Sequence, residues 1–210
     1  MKKFLKYRKQ RDIPVCKTLK IGVIGAGKGV GTTYLAIMIA NFCANFRGFK
    51  TALVECNDNK DYIKIWNETS INEISTIERN MYDFSYKNIR FISEVTPKKI
   101  AQLELNQYHV ILFDCSMDSE LGLMEFFRCN IRIVVCATQL YKIGWTKKLL
   151  SDVKDIPIKA VAFCADKKAK AKIEKDFKRV VKDIPMECNL LCIKPETCNW
   201  ISQLLELQNE

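Results

Sequence analysis

Residues 20–36 constrain the fold more than any other part of the chain. An apolar run, Ile21-Gly22-Val23-Ile24, leads into a loop with glycines at 25, 27, 29 and 31, then Thr32-Thr33 and a second apolar stretch. The pattern reads as a strand, a tight loop and a helix. Glycines allow the backbone to bring its N–H groups against an anion, and a helix opening near Gly31 aims the positive end of its dipole at the same point. That chemistry suits phosphate. The common arrangement for this purpose, Gly-x-x-x-x-Gly-Lys-[Ser/Thr], puts a lysine after the last glycine to reach the β- and γ-phosphates. Here that position holds Thr32.

Strand-like apolar runs recur near 20–25, 51–56, 89–93, 109–114, 131–137, 158–164 and 188–193, with helical periodicity near 32–46, 97–105, 117–128, 144–153, 169–181 and 197–207. Gly48 stops the first helix and Pro97 opens the one after the third strand. Strands apolar on both faces, alternating with helices, imply an α/β fold: doubly wound, with a mostly parallel sheet and helices on both faces. Ligands of such folds sit beyond the carboxyl ends of the strands, where the loop, Glu55, Asn57 and Asp114 converge. The polar stretch 57–88 reads either as a switch-like segment or as a short helix carrying Ile63, Ile65 and Trp66. At 210 residues and 48% apolar content, one domain (19–210) preceded by a basic arm (1–18) is expected. Ten cysteines, most scattered singly and with no Cys-x-x-Cys, read as reduced core residues.

Each site residue also has a plainer reading. Thr32 and Thr33 could serve only to cap a helix, Asp114 could be a turn residue at a strand end, and Glu55 a solvated strand end. Gly25-x-Gly27 with Gly31, followed by Glu55 closing the second strand, also fits a variant dinucleotide-binding loop, although the sixth position of Gly-x-Gly-x-x-Gly is Val30.

Taken together, the motifs resemble those of the MinD/ParA family of ATPases, whose loop runs Lys-Gly-Gly-x-Gly-Lys-Thr-Thr, in a degenerate Walker A form. Placing Gly29-Val30-Gly31 on Gly-x-Gly puts Gly27 at the family's signature lysine, Lys28 at its first glycine, Thr32 at the P-loop lysine and Thr33 at the magnesium-binding threonine. Some TadZ-like pilus-assembly members also lack the P-loop lysine, and Gly-Val-Gly-Thr-Thr looks closest to theirs. Glu55-x-Asn57 stands where the family carries Asp-x-Asp, and Tyr108-His-Val-Ile-Leu-Phe-Asp114 matches its Walker B strand.

The resemblance implies a three-layer P-loop NTPase-like domain that binds ATP or ADP with Mg²⁺. Its nucleotide contacts would be Gly27, Lys28, Gly29, Val30, Gly31, Thr32, Thr33, Glu55, Asn57 and Asp114, with Thr33 and Asp114 on the metal. With Thr32 and Asn57 in place of the clamping lysine and the water-orienting acid, hydrolysis is expected to be weak or absent, and no catalytic residue is assigned. The implied role is a localisation or assembly component, pilus- or secretion-associated, with a protein partner and a homodimer around nucleotide. Two alternatives stand beside it: a nucleotide-free pseudo-ATPase scaffold, and a dinucleotide-binding Rossmann-type enzyme.

The net charge of +10 favours anionic partners. Much of it lies in the arm, where Lys2, Lys3, Lys6, Arg8, Lys9, Arg11 and Lys17 interleave with Phe4, Leu5 and Tyr7. Such a segment suits an anionic membrane surface, nucleic acid, or simply solvent. A second basic segment, 167–182, carries Ile173, Phe177, Val180 and Val181 as an apolar helical stripe. The C-terminal stripe of Ile201, Leu204 and Leu205 is expected to pack on the sheet. The sequence has no signal-peptide layout and no run of about 18 apolar residues, so the expected location is the cytoplasm, with the inner membrane surface open through the arm.

Overall fold

A strand buried on both faces of a parallel sheet needs an unbroken apolar run. LKIGVIG, TALVEC, VILFDCS and IRIVVC supply four of them, as β1 (Leu19–Gly25), β2 (Thr51–Cys56), β5 (Val110–Ser116) and β6 (Ile131–Cys136). The computed structural model describes residues 18–69, 80–105 and 108–207. The other strands are β3 (Asp83–Tyr86), β4 (Ile89–Ile92), β7 (Lys159–Ala162) and β8 (Val181–Asp183). The helices are α1 (Thr32–Asn41), α2 (Asp61–Glu68), α3 (Pro97–Leu105), α4 (Glu120–Arg128), α5 (Ile143–Asp152), α6 (Lys167–Phe177) and α7 (Pro195–Leu205).

The eight strands of the described residues join one sheet in the order β3-β4-β2-β5-β1-β6-β7-β8. Only β3 runs antiparallel to its neighbour; every other pairing is parallel. From β1 the chain winds outward through β2 and β4, returns to β5, and winds the other way through β6, β7 and β8. Right-handed crossovers then place α1 and α4 on opposite faces, the doubly wound arrangement expected, with the reversal beside β1. Both helices pack on β1 and β5.

The approach of α4 is close enough to demand glycine. A Cβ on Gly122 would lie 2.5 Å from the Cys56 carbonyl oxygen and 3.2 Å from Ser116 N. Gly122→Ala should therefore destabilise the fold by about 1–2 kcal/mol, because the overpacking cost exceeds the ~1 kcal/mol that alanine gains in a helix. Urea unfolding measures this, and a variant as stable as the parent would mean that α4 can move off the sheet.

Several elements differ from their expected form. The first helix passes at Phe42–Phe46 into a π-helical turn, with Asn41 buried and donating to the Leu190 carbonyl at 3.0 Å. The segment 188–193, expected as a strand, is a turn closed by Asn189, which accepts from Leu191 N–H through its side chain (3.0 Å) and from Cys192 N–H through its carbonyl (3.1 Å). The last strand of the sheet is instead β8, which starts at Val181, the final residue of the span expected as a helix, because α6 ends at Lys178 in the left-handed conformation. Ile173 of the expected stripe is buried, whereas Val180 is exposed and Val181 begins β8.

Within 57–88 the short-helix alternative is the one observed: Ile63, Ile65 and Trp66 lie on α2. The hairpin of β3 and β4 was not foreseen. Its turn residues, Lys87 and Asn88, both have positive φ (48° and 64°), a two-residue turn that favours Asn-Gly and so escapes notice when written Lys-Asn. Residues 70–79 and the arm up to residue 17 lie outside the described residues. Ile201, Leu204 and Leu205 are buried, and α7, expected to pack on the sheet, packs against the π-helical turn. Cys43, Cys56, Cys115, Cys129 and Cys136 are buried free thiols, burial pushing those of Cys43 and Cys136 up to about 12. Cys164, Cys188 and Cys192 are exposed and Cys16 is outside the described residues. Among the described residues no helix is long and apolar enough to cross a membrane.

Candidate functional site

The loop leaves β1 at Gly25 and is pinned to the sheet by Ala26 N–H, which donates to the Val135 carbonyl at 2.9 Å. The Thr32 side chain folds back over the loop's start: a Cβ on Gly25 would stand 2.1 Å from Thr32 Oγ1 and 2.7 Å from Val30 Cγ2. Gly29 and Gly31 take φ of 72° and 97°, a region that glycine enters without strain. Gly31 is the N-cap of α1 and its side-chain-free geometry leaves the helix start uncapped. Among the described residues the N–H groups of Gly29, Gly31 and Thr32 have no acceptor. They surround the positive end of α1, which makes the loop an anion cradle.

Beneath the cradle lies an acidic cluster. The register pairs Glu55 of β2 with Asp114 of β5, and Asp114 with Val23 of β1. Asp114 has no exposed surface, and its Oδ1 has no hydrogen-bond partner. Its Oδ2 accepts from Tyr62 Oη at 3.4 Å, and the Thr33 hydroxyl lies within hydrogen-bonding reach of both Asp114 and Asp61 Oδ2, the latter at 3.3 Å. Burial pushes the Asp114 carboxyl up to about 7, with the nearby Glu55 and Asp61 charges adding to the rise and the bonds from Thr33 and Tyr62 opposing it. A turn-capping role for Asp114 does not fit this position, which is inside the sheet.

Glu55 is likewise buried and not a solvated strand end. Its Oε2 accepts from Ser93 Oγ at 2.8 Å and its Oε1 from Asp61 N–H at 2.7 Å, so it caps the start of α2. Burial raises its pKa. Asn57 spends both ends of its amide on the backbone: Nδ2 donates to the Asp114 carbonyl (3.2 Å) and Oδ1 accepts from Asn59 N–H (2.9 Å). A carboxylate could not make the first of these bonds, so the asparagine has a structural reason to stand there.

Thr33, Glu55, Asn57 and Asp114 thus meet below the loop, as the sequence suggests. Asp61 and Tyr62 complete the cluster, yet they lie in the segment whose patterning was weakest. Two further residues come from beyond β6. The Trp145 ring covers Gly27, where an added Cβ would be 2.3 Å from Cε3, and Lys142 Nζ donates to the Lys28 carbonyl at 3.0 Å. Lys28 itself is exposed. No motif spacing links residues 142 and 145 to the loop, so only the fold could reveal them. Beside the loop is a cleft of about 260 Å³ lined by Gly29, Val30, Gly31, Cys136, Gln139, Phe163 and Cys164. Ligand sites for drug-sized molecules begin near ~300 Å³, so the cleft suits one part of an extended ligand that also spans the open loop.

No protein-family model matches the chain, and no curated protein matches it. Solved structures do. A ParA family ATPase from Chlorobium tepidum TLS superposes with a TM-score of 0.56 at 14% identity, covering 91% of this chain and 93% of that one. A putative plasmid partition protein from Borrelia burgdorferi bound to AMPPNP gives 0.58 at 14%, covering 91% and 98%. The septum site-determining protein MinD complexed with Mg-ADP from Pyrococcus horikoshii OT3 gives 0.55 at 14%, covering 81% and 82%. At such identities the likeness establishes the fold: the sheet and its helices are those of ParA- and MinD-type P-loop proteins.

Proposed function

We propose that this chain binds ATP or ADP with Mg²⁺ through the loop at 25–33, hydrolyses it at or near background, and acts as a localisation or assembly component whose output is a contact with a protein partner. A place in pilus or secretion assembly belongs to the same reading. The observation that carries it is the uncapped start of α1, with N–H groups of Gly29, Gly31 and Thr32 that have no acceptor among the described residues, joined through Thr33 of the same turn to the cluster that holds the buried Asp114 oxygen with no partner. An anion above and a cation between would satisfy both.

Mg²⁺ fits the donors. It takes oxygen ligands, usually one or two carboxylates, and draws the rest from phosphate and water. Thr33 and Asp114 offer that set, and among the described residues no cluster of three His, Cys, Asp or Glu side chains forms a closed metal site of its own. When bound, the ion would neutralise charge on the phosphates. Structures of the same fold were solved with AMPPNP and with Mg-ADP, which supports the choice of ligand.

Slow turnover follows from two positions. Thr32 brings no charge to the phosphates, and the Asn57 amide is held by Asp114 and Asn59. Each missing stabilising group typically costs a factor of about 100–1,000 in rate. The dinucleotide alternative loses support, because Glu55 is buried and both its oxygens are already engaged by Asp61 N–H and Ser93.

Calorimetric titration with ATP, ADP and NAD, with and without Mg²⁺, tests the reading. Binding of ATP and ADP that strengthens with Mg²⁺ and is lost in Thr33→Ala is expected, with phosphate release far below the ~1 per second of ordinary enzymes. Preferential NAD binding, or rapid release abolished by Asp114→Ala, would overturn it.

A further inference from the structure

Gly27 and Thr32 leave the loop without a lysine of its own at either expected position, yet an ammonium is present above it. Lys142 stands at the N-cap of α5, in a turn fixed by its N–H donating to the Gln139 carbonyl and its carbonyl accepting from Trp145 N–H, both at 2.9 Å. Its side chain crosses to the loop, where Nζ donates to the Lys28 carbonyl at 3.0 Å and lies 3.7 Å from the point a Gly29 Cβ would occupy. The Tyr141 and Trp145 rings flank it, with centroids 5.6 and 5.8 Å from Nζ. Among the described residues no carboxylate pairs with it. One carbonyl and two ring faces hold this cation in place without neutralising it, and two of its three N–H donors have no acceptor there.

The Trp145 ring explains why the charge comes from across the fold. With Cε3 2.3 Å from a Cβ on Gly27, the ring excludes any side chain at 27, lysine included, unless it moves. The turn that closes that position thus also delivers Lys142.

We propose that Lys142 is the phosphate-binding cation of this loop, supplying to a bound polyphosphate the positive charge that neither residue 27 nor residue 32 provides. This rests on the phosphate-loop reading above. A point charge on a flexible stem can leave the Lys28 carbonyl for a phosphate oxygen at little cost, and charge-assisted bonds to phosphate are the stronger kind.

The test is titration of the protein with Mg-ATP and with inorganic tripolyphosphate, which lacks the base. It is followed by calorimetry and by the fluorescence change that disappears in Trp145→Phe, since that ring lies on the loop. The unsubstituted protein is compared with Lys142→Gln, Lys142→Arg and Lys148→Gln, the last removing the same charge from an exposed position on α5. Lys142→Gln should weaken both ligands about tenfold, Lys142→Arg should stay within a few fold of the parent, and Lys148→Gln should change little. If the parent binds and Lys142→Gln binds equally well, or Lys148→Gln weakens binding as much, Lys142 has no such role while the phosphate loop stands. If the parent binds neither ligand, the loop reading falls and takes this inference with it.

Discussion

Replacing Asp114 by asparagine should stabilise the ligand-free protein, and the gain should grow as the pH rises. The Asp114 carboxyl is pushed from 3.8 up to about 7, chiefly by burial. An unfolded chain ionises this group near its ordinary value, so between pH 4 and 7 the folded protein holds a proton that the unfolded one has released. The stabilisation tied to that proton is fully present below about pH 4, declines as the pH rises through 7, and is gone above it. Asparagine carries no ionisation and has no such slope. At ~1.4 kcal/mol per pH unit, the advantage of Asp114→Asn at pH 8 over that at pH 4 should be on the order of 3–4 kcal/mol. Urea unfolding of both proteins across this range measures it. Parallel profiles would mean that Asp114 ionises normally in the fold. Saturating nucleotide with Mg²⁺ should shrink the difference, because the cation takes the proton's place beside the carboxylate.

The same carboxylate illustrates what the sequence discloses and what it does not. Val110–Phe113 announces a buried strand because parallel strands covered on both faces need a near-continuous apolar run, and an aspartate at its carboxyl end is visible at once. That Asp114 is sealed from water depends on Tyr62, whose fully buried ring reaches it from α2, a helix begun by Lys60 in a left-handed conformation that no pattern signals. The glycine loop was legible for a related reason: its conformations are ones that only glycine adopts cheaply, so composition records geometry directly. Lys142 and Trp145 carry no such record. Their nearness to the loop comes from β6 lying beside β1, a long-range pairing set by the order of the whole sheet. The misplaced last strand has a local cause instead, since 188–193 has a strand's composition, but Asn189 closes a turn with its own side chain.

Placing a lysine at position 32 should tighten ATP more than ADP. Thr32 occupies the first turn of α1 with its hydroxyl turned down onto Gly25, whereas a lysine is long enough to leave that contact and carry its ammonium out to the β- and γ-phosphates. A charge-assisted bond of this kind is worth roughly 1–3 kcal/mol, or about 5- to 150-fold in affinity. ADP, lacking the γ-phosphate, should gain less. The lost Thr32 contact subtracts little, because the hydroxyl makes no hydrogen bond to any described residue. The size of the gain depends on Lys142: where that residue already supplies charge to the same oxygens, a second ammonium adds less and repels the first. Thr32→Lys made in the Lys142→Gln protein should therefore raise ATP affinity more than the same change in the parent, and a double-mutant cycle by calorimetry reads the difference as a coupling energy. Equal gains in the two backgrounds would place Lys142 away from the phosphates that residue 32 reaches. Equal affinity for ATP and ADP in Thr32→Lys would mean that no γ-phosphate lies near this end of the loop.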